Sequence, residues 1–104
     1  MKVVWTEQAL ARLTEIQDFI ARANREAAER LVQRIAERGE GLSKFAEMGR
    51  MVPELPGTGL REIIEGRYRI VYRVQAKGIQ IVTVFEGHRQ FPTGDVVEWP
   101  IAGE

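Results

Sequence analysis

The stretch Arg67-Tyr68-Arg69-Ile70-Val71-Tyr72-Arg73-Val74 constrains this chain more than any other. Read with a period of two, it separates into two faces. Tyr68, Ile70, Tyr72 and Val74 fall on one, and Arg67, Arg69, Val71 and Arg73 on the other. Alternation of this kind, rich in aromatic and β-branched residues, specifies a half-buried strand. Three guanidinium groups on one face repel one another, so that face is expected to meet water or an anionic partner. The remaining sequence must supply strands to pair with this one and helices to cover its tyrosine side.

Both are present. Lys2 to Trp5 is short and β-branched and reads as a first strand. Thr6 stands at an N-cap position, and Glu7 puts negative charge in the first turn of a helix. Ala9, Leu10, Leu13, Ile16, Phe19, Ile20 and Ala23 recur at helical spacing, which predicts a helix over 7–22. Asn24 caps a second helix, with Ala27, Ala28, Leu31, Val32, Ile35 and Leu42 as its apolar stripe. Gly39 and Gly41 each cost about 1 kcal/mol relative to alanine in a helix interior, so its end is expected between 39 and 44. The short join makes the two an antiparallel hairpin. Residues 45–59 form a long connection, pinned to the core edge by Phe45, Met48, Met51, Val52 and Leu55.

Strands are expected over 60–65, 68–75 and 79–86, with tight turns at Gly66-Arg67 and Ala76-Lys77-Gly78. The last is nearly all apolar or β-branched, which places it centrally. Val96 to Trp99 reads as a short edge strand or a docked tail. The fold class that follows is α+β in the order β-α-α-β-β-β. A helical hairpin packs on one face of an antiparallel sheet, and the other face stays open for function. Residues 1–92 make the domain and 93–104 a C-terminal tail. Trp5, Tyr68 and Tyr72 are expected in the core.

Charge and composition narrow the function. The chain carries 15 basic and 15 acidic residues. From Leu60 to Pro92 the balance is +3, whereas Asp95, Glu98 and Glu104 give the tail −3. A neutral total therefore hides a basic block followed by an acidic tail. The absence of cysteine excludes disulfides and thiolate metal sites and fits a reducing cytoplasm. A single histidine argues against a histidine-built metal site, and no cofactor is expected. No apolar run approaches the roughly 20 residues that cross a bilayer, so no membrane association is expected. The N-terminus lacks the features of a signal peptide.

The residues that bear on activity fall in a recognisable order. Trp5-Thr6 leads into Ala9, Leu13 and Ile16. Ala27-Ala28 and Leu31-Val32 follow, then Met48-Gly49-Arg50 and Val52-Pro53-Glu54-Leu55. Leu60-Arg61-Glu62-Ile63 precedes Tyr68-Arg69-Ile70-Val71-Tyr72-Arg73, and Val84-Phe85 with Gly87-His88-Arg89 completes the series. Over residues 2–92 the chain resembles the RelE/ParE superfamily of toxins from bacterial type II toxin–antitoxin systems. The resemblance implies a small cytoplasmic toxin bound by a cognate antitoxin in a hetero-oligomer. It also implies two alternative targets. RelE-like members cut mRNA on the ribosome, and ParE-like members poison DNA gyrase.

Cleaving RNA through its 2′-hydroxyl requires a base, a cation for the phosphorane and an acid for the leaving oxygen. By resemblance, a nuclease centre would draw on Arg61, Arg69, His88 and Arg89, with Arg69 stabilising phosphate charge and Glu86 or Glu62 as base. His88 is suited to proton transfer near neutral pH. Departures from the RelE-like pattern weigh against this. Ile63 stands where a second basic residue is wanted, and Phe91, the nearest aromatic after Arg89, cannot transfer a proton. A neutral protein also gains little from the ribosome's RNA-walled A site. These points favour the ParE-like reading over a ribosome-dependent endoribonuclease. A third reading is a non-toxic relative that only binds its antitoxin. Arg61, Arg69, Arg73 and Trp99 are the expected partner-binding residues. The competing structural reading has Arg69 and Arg73 bonding Glu62 or Glu65 across the hairpin as surface ion pairs.

Overall fold

The computed structural model describes residues 1–96. The chain begins with β1 (Val3–Trp5), then α1 (Glu7–Ala21) and α2 (Arg25–Gly41). Thr6 and Asn24 cap the helices as expected, their side chains accepting from the Ala9 and Ala27 amides at 3.0 Å. β2 (Arg50–Met51) is a two-residue strand inside the long connection, where no strand was expected. β3 (Arg61–Glu65), β4 (Tyr68–Gln75) and β5 (Gly78–Glu86) form the expected meander. A 3₁₀ turn spans Thr93–Val96. The edge strand expected from Val96 is therefore replaced at that residue by a turn, and Val97 to Trp99 lie outside the described residues.

The five strands lie in the order β1-β5-β4-β3-β2, which puts β4 at the centre and β5 beside it. The sheet is mixed rather than antiparallel throughout. β1 pairs in parallel with β5, Val3 opposite Ile79 and Trp5 opposite Ile81, because the helical hairpin between them returns the chain along the same direction. Near the middle of β5 the register shifts. Val71 lies opposite Thr83 and Tyr72 opposite Ile81, so Val82 is an extra residue. This bulge lets Val82 join one face while Ile81 and Val84 both stay on the other.

The helices cover the tyrosine side of the sheet, as expected. Ala9, Leu13, Leu31, Ile35 and Leu42 meet Ile63, Ile70, Tyr72, Ile79, Ile81 and Val84 in one cluster, with Trp5 and Tyr68 packed against it. Gly39 sits inside α2 because a Cβ there would come 2.7 Å from the Trp5 ring and 2.8 Å from Ile81. A close approach of helix to sheet thus outweighs glycine's poor helix propensity.

The opposite face is not open. Val52, Leu60, Val71, Val82, Phe85 and Phe91 form a second buried cluster, joined by Leu55 and Val96. The connection after β2 and the segment after β5 fold back over this face and seal it. Tyr72 ties the connection to the sheet from the helix side. Its hydroxyl accepts from the Gly49 amide at 2.9 Å and donates to the Ala46 carbonyl at 2.8 Å. Burial raises the Tyr72 pKa, keeping this hydroxyl protonated as a donor.

Gly49 leaves no room for a side chain, since a Cβ would lie 2.6 Å from both the Glu62 carbonyl and the Tyr72 hydroxyl. Gly49→Ala is expected to destabilise the fold by about 1–3 kcal/mol, as overpacking does. Thermal unfolding would read this as a fall of roughly 4–8 °C per kcal/mol for a domain of this size. An unchanged melting temperature would show that the Tyr72 tether gives way freely.

Candidate functional site

The residues singled out in the sequence divide among three places. Arg61 pairs in register with Tyr72, so it shares the helix-covered face, whereas Arg69 lies on the opposite one. The expectation that Arg61, Arg69 and Arg73 together form one basic open surface is corrected by this alternation. The Arg61 guanidinium donates through Nη1 to the Gly49 carbonyl at 2.8 Å and the Glu47 carbonyl at 3.3 Å, fastening the connection before β2.

Arg69 is the most constrained cation in the molecule's centre. It is only 7 % exposed. Its Nε donates to Glu62 at 2.7 Å, while Nη1 and Nη2 grip the Glu54 carboxylate at 2.8 and 2.7 Å. Phe85 and Phe91 stack on the guanidinium, their ring centroids 4.9 and 5.6 Å from its carbon. Glu62, 1 % exposed, is balanced from its other side by Arg50 at 2.6 Å. Two arginines and two glutamates thus neutralise one another beneath a pair of phenylalanines. The charge expected to face solvent is satisfied internally, and the cross-hairpin reading of Arg69 with Glu62 is the one observed. Glu62 is not placed to act as a base.

The third place is the end of β5. His88 is almost fully exposed and holds Glu86 twice, through its backbone amide at 2.7 Å and Nδ1 at 3.0 Å. These bonds lower the Glu86 pKa, keeping that carboxylate ionised. Arg89 and Arg67 stand at the rim of a groove of about 730 Å³ between α1 and the ends of β4 and β5. Ile16, Phe19, Tyr68 and Val84 also line it. Phe19 is 65 % exposed, and the Arg22 guanidinium lies 5.8 Å from its ring centre. Arg12, Glu15 and Glu86 line the groove too, so it joins apolar side chains to charges of both signs, a surface suited to an amphipathic segment.

Among the described residues the structure therefore gathers Glu86, His88, Arg67 and Arg89 at the end of β5 but does not bring Arg61 or Arg69 to them. Arg61 and Arg69 lie on opposite faces, and His88 belongs to the far end of β5. Among the described residues, no three His, Asp or Glu side chains are placed to hold a metal ion. Glu54, Arg50 and Phe91 carry roles that sequence reasoning missed. A carboxylate between the apolar anchors Val52 and Leu55 was the available signal for Glu54.

This arrangement matches known proteins along nearly its whole length. The family model for the ParE toxin of the type II toxin–antitoxin system parDE covers residues 3–91. The chain belongs to the ParE toxin family. A Sinorhizobium fredii protein named "Putative toxin Y4kP" is 34 % identical over 95 residues, spanning 88 % of this chain and 93 % of that protein. Toxin RelE2 of Caulobacter vibrioides is 34 % identical over 84 residues, spanning 80 % and 91 %. Among solved structures, a chain of the chromosomal ParDE system from P. aeruginosa superposes with a TM-score of 0.70 at 30 % identity. It covers 83 % of this chain and 95 % of that one. The expected superfamily and fold are thereby shown. ParE and RelE names both occur among the relatives, so kinship leaves the target open.

Two predictions follow from the buried cluster. Arg69→Ala leaves buried Glu62 with Arg50 alone and strips Glu54 of its guanidinium partner, and is expected to cost about 3 kcal/mol, read by urea denaturation. Replacing Arg69 and Glu62 together by Met and Leu should recover much of that loss. Glu54 is held near a pKa of about 2 instead of 4.5, chiefly by its bonds from Arg69. Its folded pKa is depressed, so the stabilisation is present above 4.5 and is lost as pH falls through about 2. Glu54→Gln should flatten the acid limb of the stability curve in that window. An identical acid limb in the variant would contradict the assignment.

Proposed function

We propose that this protein is a ParE-like growth-inhibiting toxin that acts on DNA gyrase and is held inactive by a cognate antitoxin. The observation that carries the reading is that Arg61 and Arg69, the strand arginines a ribonuclease would need, lie on opposite faces, are bonded within the fold, and do not converge with the Glu86, His88 and Arg89 group at the end of β5. Arg69 is spent on two internal carboxylates, Arg61 fastens a loop on the opposite face, and His88 stands apart from both. A toxin that works by binding a protein target needs no such convergence. The neutral formal charge points the same way, because an RNA-lined site rewards a strongly basic protein.

The antitoxin is placed in the groove beside α1, as an amphipathic segment with acidic residues toward Arg67 and Arg89. In this reading those two arginines take the partner-binding part that the sequence assigned to Arg61, Arg69, Arg73 and Trp99. Arg61 and Arg69 then contribute indirectly, by holding the fold.

A paired assay tests the target. Purified protein is expected to inhibit gyrase supercoiling and to leave mRNA intact on programmed ribosomes. Site-specific mRNA cleavage with gyrase unaffected would replace this reading with the RelE-like one. Growth inhibition in cells should survive His88→Ala, because the exposed imidazole serves no chemistry here. Arg67→Glu with Arg89→Glu should weaken antitoxin rescue while leaving growth inhibition measurable.

A further inference from the structure

The groove beside α1 has two walls drawn from distant parts of the chain. α1 supplies one through Arg12, Glu15, Ile16 and Phe19, and the segment after β5 supplies the other through Arg89, Gln90 and Pro92. Between them lies the edge of β5 that β1 leaves bare. β1 pairs with β5 only from Ile79 to Ile81, so from Val82 to Glu86 no strand among the described residues lies beside that edge. Val84, Phe85 and Glu86 of this stretch line the groove. A strand edge left open in this way calls for a cover or a partner.

The start of the bare edge is covered by a side-chain bridge. Asp95, on the 3₁₀ turn, accepts from the Thr83 hydroxyl at 2.9 Å and from Arg12 Nε and Nη2 at 2.7 and 3.0 Å. The guanidinium thus grips both carboxylate oxygens, and its Nη1 donates to Glu15 at 3.0 Å. Arg12 lines the groove, and the Asp95 side chain, 6 % exposed, stands behind it. The segment after β5 is also fixed at its beginning, where the Gly87 amide donates to the Arg67 carbonyl at 2.7 Å. Midway, Phe91 packs edge-on against Phe85 with centroids 5.2 Å apart. Thr83 and Glu86 are three residues apart on β5, which separates the bridge from the Arg67 and Arg89 end by about 10 Å. α1 covers a similar distance, about 10 Å, from Arg12 to Phe19.

We propose that the Arg12–Asp95 bridge, pinned by Thr83, is a clasp that sets the spacing of the groove's two walls and closes the groove at one end, which makes Asp95 and Thr83 positioning residues for the segment bound there. Asp95 and Thr83 do not line the groove, so they act on its occupant only through Arg12 and the 87–96 segment. A groove whose walls are already tied has its binding shape in the free protein, and association does not have to order the second wall. The inference rests on the antitoxin being the occupant, as proposed above, and adds the residues that hold its site in shape.

The test follows dissociation of the complex with the full-length cognate antitoxin at high ionic strength, where an uncovered Arg12 charge is screened. Asp95→Asn keeps an acceptor for Thr83 and removes the charge that holds Arg12. It is expected to speed dissociation about tenfold, the effect of one or two further side chains to be ordered on binding. Amide hydrogen exchange over 87–95 should also quicken in the free variant. Thr83→Val, which leaves Arg12 on Asp95, should raise both rates less. Should Asp95→Asn fail to fold, Thr83→Val and Arg12→Lys, which keeps the charge and loses the fork, decide. Gly49→Ala, destabilised far from the groove, should dissociate at the unaltered rate, which separates positioning from lost stability. The proposal is overturned if exchange over 87–95 does not change, if it quickens with dissociation unaltered, or if Gly49→Ala raises dissociation equally. Arg67→Glu with Arg89→Glu distinguishes the two readings. Weakened binding in that pair with clasp variants unaltered overturns the clasp alone, whereas unaltered binding in that pair overturns the groove as the antitoxin site and the clasp with it.

Discussion

The charge on Arg69 sets the terms for the outer half of this molecule. A guanidinium on a central strand, facing away from the helices, either reaches water or is neutralised where it stands. Here it is neutralised. Glu62 approaches from the neighbouring strand and Glu54 from the connection, while Phe85 and Phe91 close over the top. That single requirement explains why the connection crosses the sheet, why β2 exists to carry Arg50 to Glu62, and why the chain turns back after β5. A buried ion cluster of this kind adds little net stability over an apolar packing of the same shape. Its effect is to fix where two otherwise irregular segments lie.

The same cluster bears on activity. An enzyme that stabilises phosphorane charge keeps its cation uncommitted until the transition state forms. Arg69 is committed beforehand to two carboxylates, Glu62 through Nε and Glu54 through both Nη1 and Nη2. The sheet thus acts as a scaffold, and the groove beside α1, lined by Phe19, Arg67 and Arg89 among others, is where the proposed recognition would take place.

The helices, their caps and the three-strand meander were legible because each rests on local signals. Thr6 and Asn24 are capping residues followed by helical periodicity, and the alternation from Tyr68 to Val74 sorts the two sides of β4 correctly. What stayed hidden depends on contacts between distant segments. Alternation put Arg69 on the outer face but could not reveal that Glu54 would fold over it. The Arg61 side chain was assigned to the wrong face, because strand parity relative to β4 follows from register, and register is set by pairing. The extra residue at Val82 was invisible for the same reason: a bulge costs one position in a run that is nearly all apolar or β-branched. Phe91 was read for what it cannot do in proton transfer, whereas its ring serves as a lid on a cation. Family resemblance supplied the toxin class, and it could not supply the target, because one fold serves both.

The parallel pairing of β1 with β5 has a consequence for synthesis. Val3 finds its partner only at Ile79, and Trp5 only at Ile81. A ribosome must therefore make almost the whole domain before the first strand can join the sheet. Until then the helical hairpin has no complete surface to cover, and contacts so distant in sequence form slowly. The nascent chain consequently spends its time on the ribosome unable to adopt its finished shape. For a protein whose finished shape is harmful to its maker, that order of assembly delays the danger until the chain is nearly complete.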